Sequence, residues 1–272
     1  MKKAAALALT FLLLLAGPLC AQPVTPAATA YTGPRFPGGP DSLRALVTRS
    51  LRLAPPGLTG LVVMQMELKE GSRPVKFELL VPPAPVNPAL MAAGKRAVAL
   101  LKTQMPDWQP GLADPASKPS DKQKVTLSLH FGLGPPAKSY AYAYADSEPV
   151  FPNLAPLLSS KDENFYNQRV TEATVTGIYK TPSRKIALFT QISVRYPREA
   201  MQTGQQGRVM LYFEVSETGA IENTQIVGTA GALLDAEVLR VAQKLPAAVS
   251  PALLRGQPVR VFYTMPVGFK IQ

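Results

Sequence analysis

Residues that usually carry chemistry are scarce in this 272-residue chain, which has one cysteine, one histidine and one tryptophan. A lone thiol, Cys20, excludes an internal disulfide framework and a thiolate metal site. His130 lies in an alternating stretch with no Ser, Cys or metal-ligand partner at motif spacing, so it reads as a strand residue and not as a catalyst. Acidic residues are also few: 18 Asp and Glu stand against 29 Lys and Arg, for a formal net charge of +11. The excess favours anionic partners such as a cell-wall polymer, a lipid surface or an acidic peptide, and it suits plain solubility equally well. No helix-turn-helix, zinc finger or aromatic-basic ribonucleoprotein pattern accompanies the charge, which excludes nucleic acid. Walker loop, HExxH, nucleophile elbow and dinucleotide fingerprint are all missing, so no enzymatic activity, cofactor or metal is expected. Asp235 and Glu237 fall at a helix start, where they serve the helix dipole.

Long apolar runs are missing too, apart from Ala4 to Leu19, which follows Met1-Lys2-Lys3 and precedes Cys20-Ala21-Gln22. A basic start, an apolar middle and a small-residue cleavage site describe a secretory signal over residues 1–21. The run falls short of the roughly 18 apolar residues of a transmembrane helix. The expected location is therefore the periplasm, with an inner-membrane anchor or a lipoprotein acylated at Cys20 as alternatives; Leu19, which is not small, argues against acylation. Residues 22–35, rich in Pro, Thr and Ala, should be a flexible tail.

What the chain does contain is the same series of landmarks twice. In the C-terminal half, Ile186, Phe189, Ile192 and Tyr196 recur at helical spacing before Pro197. After Gly207, Val209, Leu211, Phe213 and Val215 alternate with Arg208, Met210, Tyr212 and Glu214, which is the period of a half-buried strand. Thr218-Gly219 supplies a hairpin turn before Ile221 to Val227 returns. Leu234, Val238, Val241 and Leu245 form a helical stripe that stops before Pro246, and Val259, Val261, Tyr263 and Met265 alternate in a last strand. The N-terminal half repeats the order. Leu43, Leu46, Val47 and Leu51 mark a helix; Val62, Met64, Met66 and Leu68 alternate after Gly60; Gly71 turns the chain into Val75, Phe77 and Leu79. Asn87-Pro88 opens a second helix as cap and N1 proline, and Val125, Leu127, Leu129 and Phe131 close the unit.

The fold class predicted is α+β: two small units, each a three-stranded antiparallel sheet with two helices on one face, in the order helix-strand-strand-helix-strand. The boundaries are 36–134 for the first unit, 135–182 for a linker with an extra strand at Tyr140-Ala141-Tyr142-Ala143-Tyr144, and 183–272 for the second. The helices cover one sheet face, so the other face and one strand edge are expected to stay open.

Tyr196-Pro197, Ala200, Gly204, Gly207, Val209, Phe213, Gly219, Leu234-Asp235, Leu239, Pro251-Ala252, Gly256, Pro258-Val259 and Pro266-Val267-Gly268-Phe269 together resemble the TonB C-terminal domain family. The N-terminal unit resembles the version of that domain common in Bacteroidetes-type proteins, through Phe36-Pro37-Gly38-Gly39 and Met105-Pro106-Asp107-Trp108-Gln109-Pro110-Gly111. It departs at Gly94-Lys95, where a Leu-Asp pair is expected, and by an insertion over Leu112 to Gln123, so it reads as a degenerate copy. The resemblance implies a periplasmic, non-enzymatic domain that captures the extended TonB box of an outer-membrane transporter by strand addition, in a system powered by inner-membrane motor proteins. An envelope adaptor that uses the same fold to bind another periplasmic protein or peptidoglycan is the alternative. An edge strand recognises an incoming chain through its unpaired N–H and C=O groups, and the expected edge is Val259, Arg260, Val261, Phe262, Tyr263, Thr264 and Met265. Arg260 and Phe262 are candidates for side-chain contact with the peptide. Tyr196 and Pro197 are read either as partner contacts or as a core-capping tyrosine and a helix stop.

Overall fold

The computed structural model describes residues 29–112, 123–132, 141–152 and 182–271. The first elements are a two-residue strand β1 (Thr29–Ala30), helix α1 (Gly39–Leu51), a hairpin of β2 (Gly60–Lys69) and β3 (Arg73–Leu79), helix α2 (Pro88–Gln104) and β4 (Gln123–Phe131). The short β5 (Ser147–Glu148) follows. The second unit holds α3 (Pro182–Ser193), α4 (Arg198–Gln202), the hairpin of β6 (Gly207–Val215) and β7 (Ile221–Gly228), α5 (Ala232–Ala242), a small hairpin of β8 (Ala252–Leu254) and β9 (Gln257–Val259), and β10 (Val261–Phe269). The fold is mixed α+β with antiparallel three-stranded sheets.

Local chemistry explains the elements. The Asn87 side chain accepts hydrogen bonds from the Ala89 and Leu90 amides at 3.0 and 3.2 Å, with Pro88 behind it, so α2 starts where cap and proline dictate. Along β2, Val62, Met64, Met66 and Leu68 bury themselves under α1 and α2 beside Leu43, Leu46, Ala97 and Leu101. Gly94 lets α2 approach the sheet, because a Cβ there would sit 3.0 Å from Val62 and 3.1 Å from Leu79. Val209, Leu211, Phe213 and Val215 of β6 form the matching core with Ile186, Phe189, Leu234 and Val238.

The two sheets share order and register. Each has the first hairpin strand in the centre and the last strand at one edge, β3-β2-β4 and β7-β6-β10. Gly60 pairs with Phe131 and Gly207 pairs with Phe269, so Thr126 and Thr264 stand five residues before equivalent phenylalanines.

The sheet faces left bare by the helices are not open as expected; they pack on each other. Val63 of β2 meets Met210 and Tyr212 of β6, Val227 of β7 and Phe262 of β10 in one buried cluster, joined by Ala141. The Thr126 and Thr264 hydroxyls lie 2.6 Å apart across it, like residue against like residue, as a two-fold relation requires. The physical reason is composition: the second face of each sheet carries Val63, Met210, Tyr212 and Phe262, too apolar to leave in water.

Two stretches expected to be loose are ordered where described. Thr29–Ala30 pairs with β5, and Tyr31 stacks on Tyr144 at 4.8 Å. Of the strand expected at the tyrosines, the described part, from Ala141 on, forms one bridge at Tyr142, with β5 further on. Residues 141–152 join both cores: Tyr144 accepts a hydrogen bond from the buried Phe36 amide at 2.8 Å, while Tyr142, Ala145 and Phe151 pack into the C-terminal core.

Candidate functional site

The strand singled out by the alternation begins and ends elsewhere. Arg255 and Gly256, at φ values of 52° and 77°, make a two-residue turn with both positions left-handed, which closes a tight β8–β9 hairpin and draws Val259 into it. Val259 therefore belongs to the four-stranded sheet β1-β5-β8-β9, Arg260 lies between strands, and β10 runs from Val261 through Phe269. Val261, Phe262, Tyr263, Thr264 and Met265 occupy the first half of that edge strand.

The outer side of β10 is partly engaged. The Tyr142 amide donates to the Arg260 carbonyl at 2.8 Å, and the Phe262 amide donates to the Tyr142 carbonyl at 3.1 Å, a parallel bridge that covers the start of the edge. Strand geometry repeats every two residues, so the backbone groups of Thr264, Pro266 and Gly268 share that outer side with Phe262. Pro266 has no N–H to offer, which is where an edge strand tolerates proline. No backbone hydrogen bond reaches Thr264, Pro266 or Gly268 from that side among the described residues. Two amides and the carbonyls from Phe262 to Gly268 are left to pair.

Tyr142 holds its place with its side chain as well. Its hydroxyl donates to Asp41 of α1 at 2.8 Å, and the Arg44 guanidinium lies over its ring at 4.3 Å. Asp41 in turn pairs with Arg255 at 2.5 Å, so the N-terminal unit clamps the residue that covers the C-terminal edge. The hydrogen bond from Tyr142, followed by that from Arg255, holds the Asp41 carboxyl below its usual range.

Neither Arg260 nor Phe262 is free to meet a peptide. Phe262 is buried between the sheets, stacked on Tyr212 at 5.7 Å. Arg260 bonds Glu214 at 2.9 Å and Glu222 at 2.6 Å, with Glu217 at 3.5 Å. The Glu214 side chain is 1% exposed. It also accepts from the Tyr212 hydroxyl at 2.6 Å and from Asn223 at 2.8 Å, with His130 of the other unit 3.6 Å away. Burial pushes His130 down and the Glu214 charge pushes it up, the first effect being the larger. Buried charge on a β-strand has only a weak sequence signal: Glu214 sits on the polar side of an alternation, as an exposed residue would.

Tyr196 and Pro197 are built into the unit. The Tyr196 ring packs edge-on against Phe269 at 5.4 Å and its hydroxyl donates to the Gln205 carbonyl. Pro197 is the N-cap of α4 and does not end the preceding helix, which stops at Ser193. Among the described residues no group of three or more His, Cys, Asp and Glu could hold a metal, and no helix is long and apolar enough to cross a membrane. The expected leader lies outside the described residues.

An antiparallel sheet backed by helices, with the outer side of its edge strand unpaired beyond Phe262 among the described residues, defines a small α+β domain. Residues 193–271 match the family model for the Gram-negative bacterial TonB protein C-terminal. The match covers the C-terminal unit alone. An NMR solution structure of the TonB C-terminal domain of Helicobacter pylori is similar over 42% of this chain and 97% of that one, with 19% identity and a TM-score of 0.26, a likeness too low to carry weight by itself. No curated protein matches the chain.

Proposed function

We propose that this is a periplasmic TonB-like protein whose C-terminal unit binds an extended segment of an outer-membrane transporter, the TonB box, by strand addition along Thr264 to Phe269, in support of energy-coupled transport. The observation that carries the reading is the outer edge of β10, unpaired beyond Phe262 among the described residues, within the unit that matches the TonB model. Tyr142 acts as a resident strand on the first part of that edge, so the peptide either stops short of it or displaces it. The shared strand order and register support a tandem origin for the two units, with the N-terminal copy turned into a docking partner for the C-terminal one.

The test is a titration of the whole chain with a TonB-box peptide, followed by amide resonances of β10. Saturable shifts concentrated on Thr264 and Gly268 are expected, with Phe262 shifting only if Tyr142 is displaced. Absence of any shift at millimolar peptide removes strand addition and leaves the adaptor reading.

A further inference from the structure

The helical layer of the N-terminal unit is strongly one-sided in charge. The helices α1 and α2 pack side by side on the same sheet face, and each turns its buried stripe inward, Leu43, Leu46 and Ser50 from α1, Ala93, Gly94, Ala97 and Leu101 from α2. Arg49 and Arg52, three residues apart, therefore share the solvent side of α1 and its C-cap, while Lys95, Arg96 and Lys102 project from α2. All five are exposed, and no side-chain hydrogen bond or ion pair ties any of them among the described residues. The helices carry one acid, Asp41, already shared by Arg44, Arg255 and Tyr142. The acids of this unit's hairpin, Glu67, Glu70 and Glu78, lie on β2, β3 and their turn, away from the layer.

The layer also has an apolar point. Beyond Arg52 the chain runs through Leu53, which is 55% exposed, and the exposed Pro55 and Pro56 before it reaches β2. A basic face with a small apolar tip beside it suits a bilayer surface, where cations meet anionic headgroups and a side chain such as leucine enters the interface. A sugar polymer would call for exposed aromatic rings to stack on, and no large aromatic is exposed among the described residues.

We propose that this face, Arg49, Arg52, Lys95, Arg96 and Lys102 together with the Leu53 tip, docks the protein on an anionic lipid surface. The proposal does not rest on peptide binding at β10.

The test is vesicle cosedimentation with the chain from Gln22 onward, which keeps every described residue, on phosphatidylcholine vesicles with and without phosphatidylglycerol. Binding is expected only with the anionic lipid and should vanish in 0.5 M salt. Changing Arg49, Arg52, Lys95 and Lys102 to Gln together should weaken it about tenfold or more, since each cation near such a surface contributes appreciably. A matched variant, Arg198, Arg208, Lys244 and Lys270 to Gln in the C-terminal unit, removes the same charge from exposed, unpaired positions and should bind as the parent does. Equal loss in both variants would reduce the effect to net charge and overturn the assigned face, as would parent protein that stays in the supernatant. Unchanged circular dichroism establishes that the variants are folded, and Leu53→Ser should weaken binding without any change in charge.

Discussion

Removing Arg260 should damage the fold more than removing Glu214, although the two are partners. Glu214 is sealed between the sheets, and among the described residues Arg260 is its only arginine or lysine partner, at 2.9 Å. Arg260→Met leaves that carboxylate buried on the Tyr212 hydroxyl and the Asn223 amide, and losing one partner of a buried pair costs about 3–5 kcal/mol. Glu214→Met is milder. Arg260 keeps Glu222 at 2.6 Å and Glu217 at 3.5 Å, and the side chains of both are at least 40% exposed, so water completes its solvation. About 2 kcal/mol is expected for that change, in the range of a lost hydrogen bond to a charged group. The double variant puts two apolar side chains in place of the pair and should cost about 2–3 kcal/mol, well below the sum, a coupling of about 2–5 kcal/mol. Urea unfolding of the four proteins at pH 8 measures each quantity from the midpoint and slope. If the losses add within about 0.5 kcal/mol, the two residues do not interact as described and the inter-sheet network is not a unit.

Burial lifts Glu148 from 4.5 to about 7, and its Oε2 has no hydrogen-bond partner. A raised carboxyl contributes stability that is whole below its unfolded value and lost as pH rises through about 7, so Glu148→Gln should gain about 3 kcal/mol at pH 8 and almost nothing at pH 4, read from urea midpoints. His130 acts on the other side: its depressed folded value means stability is whole above about 6.5 and falls as pH drops below that, a slope that His130→Gln should flatten. Tyr144→Phe strands the buried Phe36 amide and should cost about 1–3 kcal/mol in the same assay, against near-zero loss if water replaces the hydroxyl. In hydrogen exchange, the Phe262 amide should be protected by Tyr142 while Thr264 and Gly268 exchange early; uniform protection along β10 would mean that the edge is covered throughout.

Elements with a clean period were legible, because burial on one side writes itself into side-chain choice. The alternation from Val209 to Val215 and the Asn87-Pro88 start each pointed to an element the structure contains. Contacts between units were much less legible. Met210, Tyr212 and Phe262 looked like an exposed second face because alternation reports only that two faces differ, not what covers the second. The β10 start was misplaced by two residues because Val259 keeps the alternation while the Arg255-Gly256 turn assigns it to another sheet. Tyr142 could be singled out only as part of a tyrosine run; its backbone pairing with Arg260 and Phe262 is a long-range contact that no local pattern encodes.

The same packing that closes the second face sets what the open edge can achieve. With Phe262 buried, Arg260 committed to three glutamates and Pro266 lacking a donor, the peptide site has about six backbone groups and few free side chains to add. At about 0.5–1.5 kcal/mol net each, those bonds give about 3–9 kcal/mol, against an association cost of about 4–15. Free peptide should therefore bind weakly, and useful occupancy requires that the partner be held nearby, so that the second contact forms at high local concentration. A lipid-facing helical layer on the opposite side of the N-terminal sheet from the C-terminal unit would hold the protein at a membrane surface while β10 stays available. On this reasoning, anchoring and peptide capture are separable: neutralising the basic face should leave the affinity for free peptide unchanged and lower only the capture of a membrane-embedded transporter.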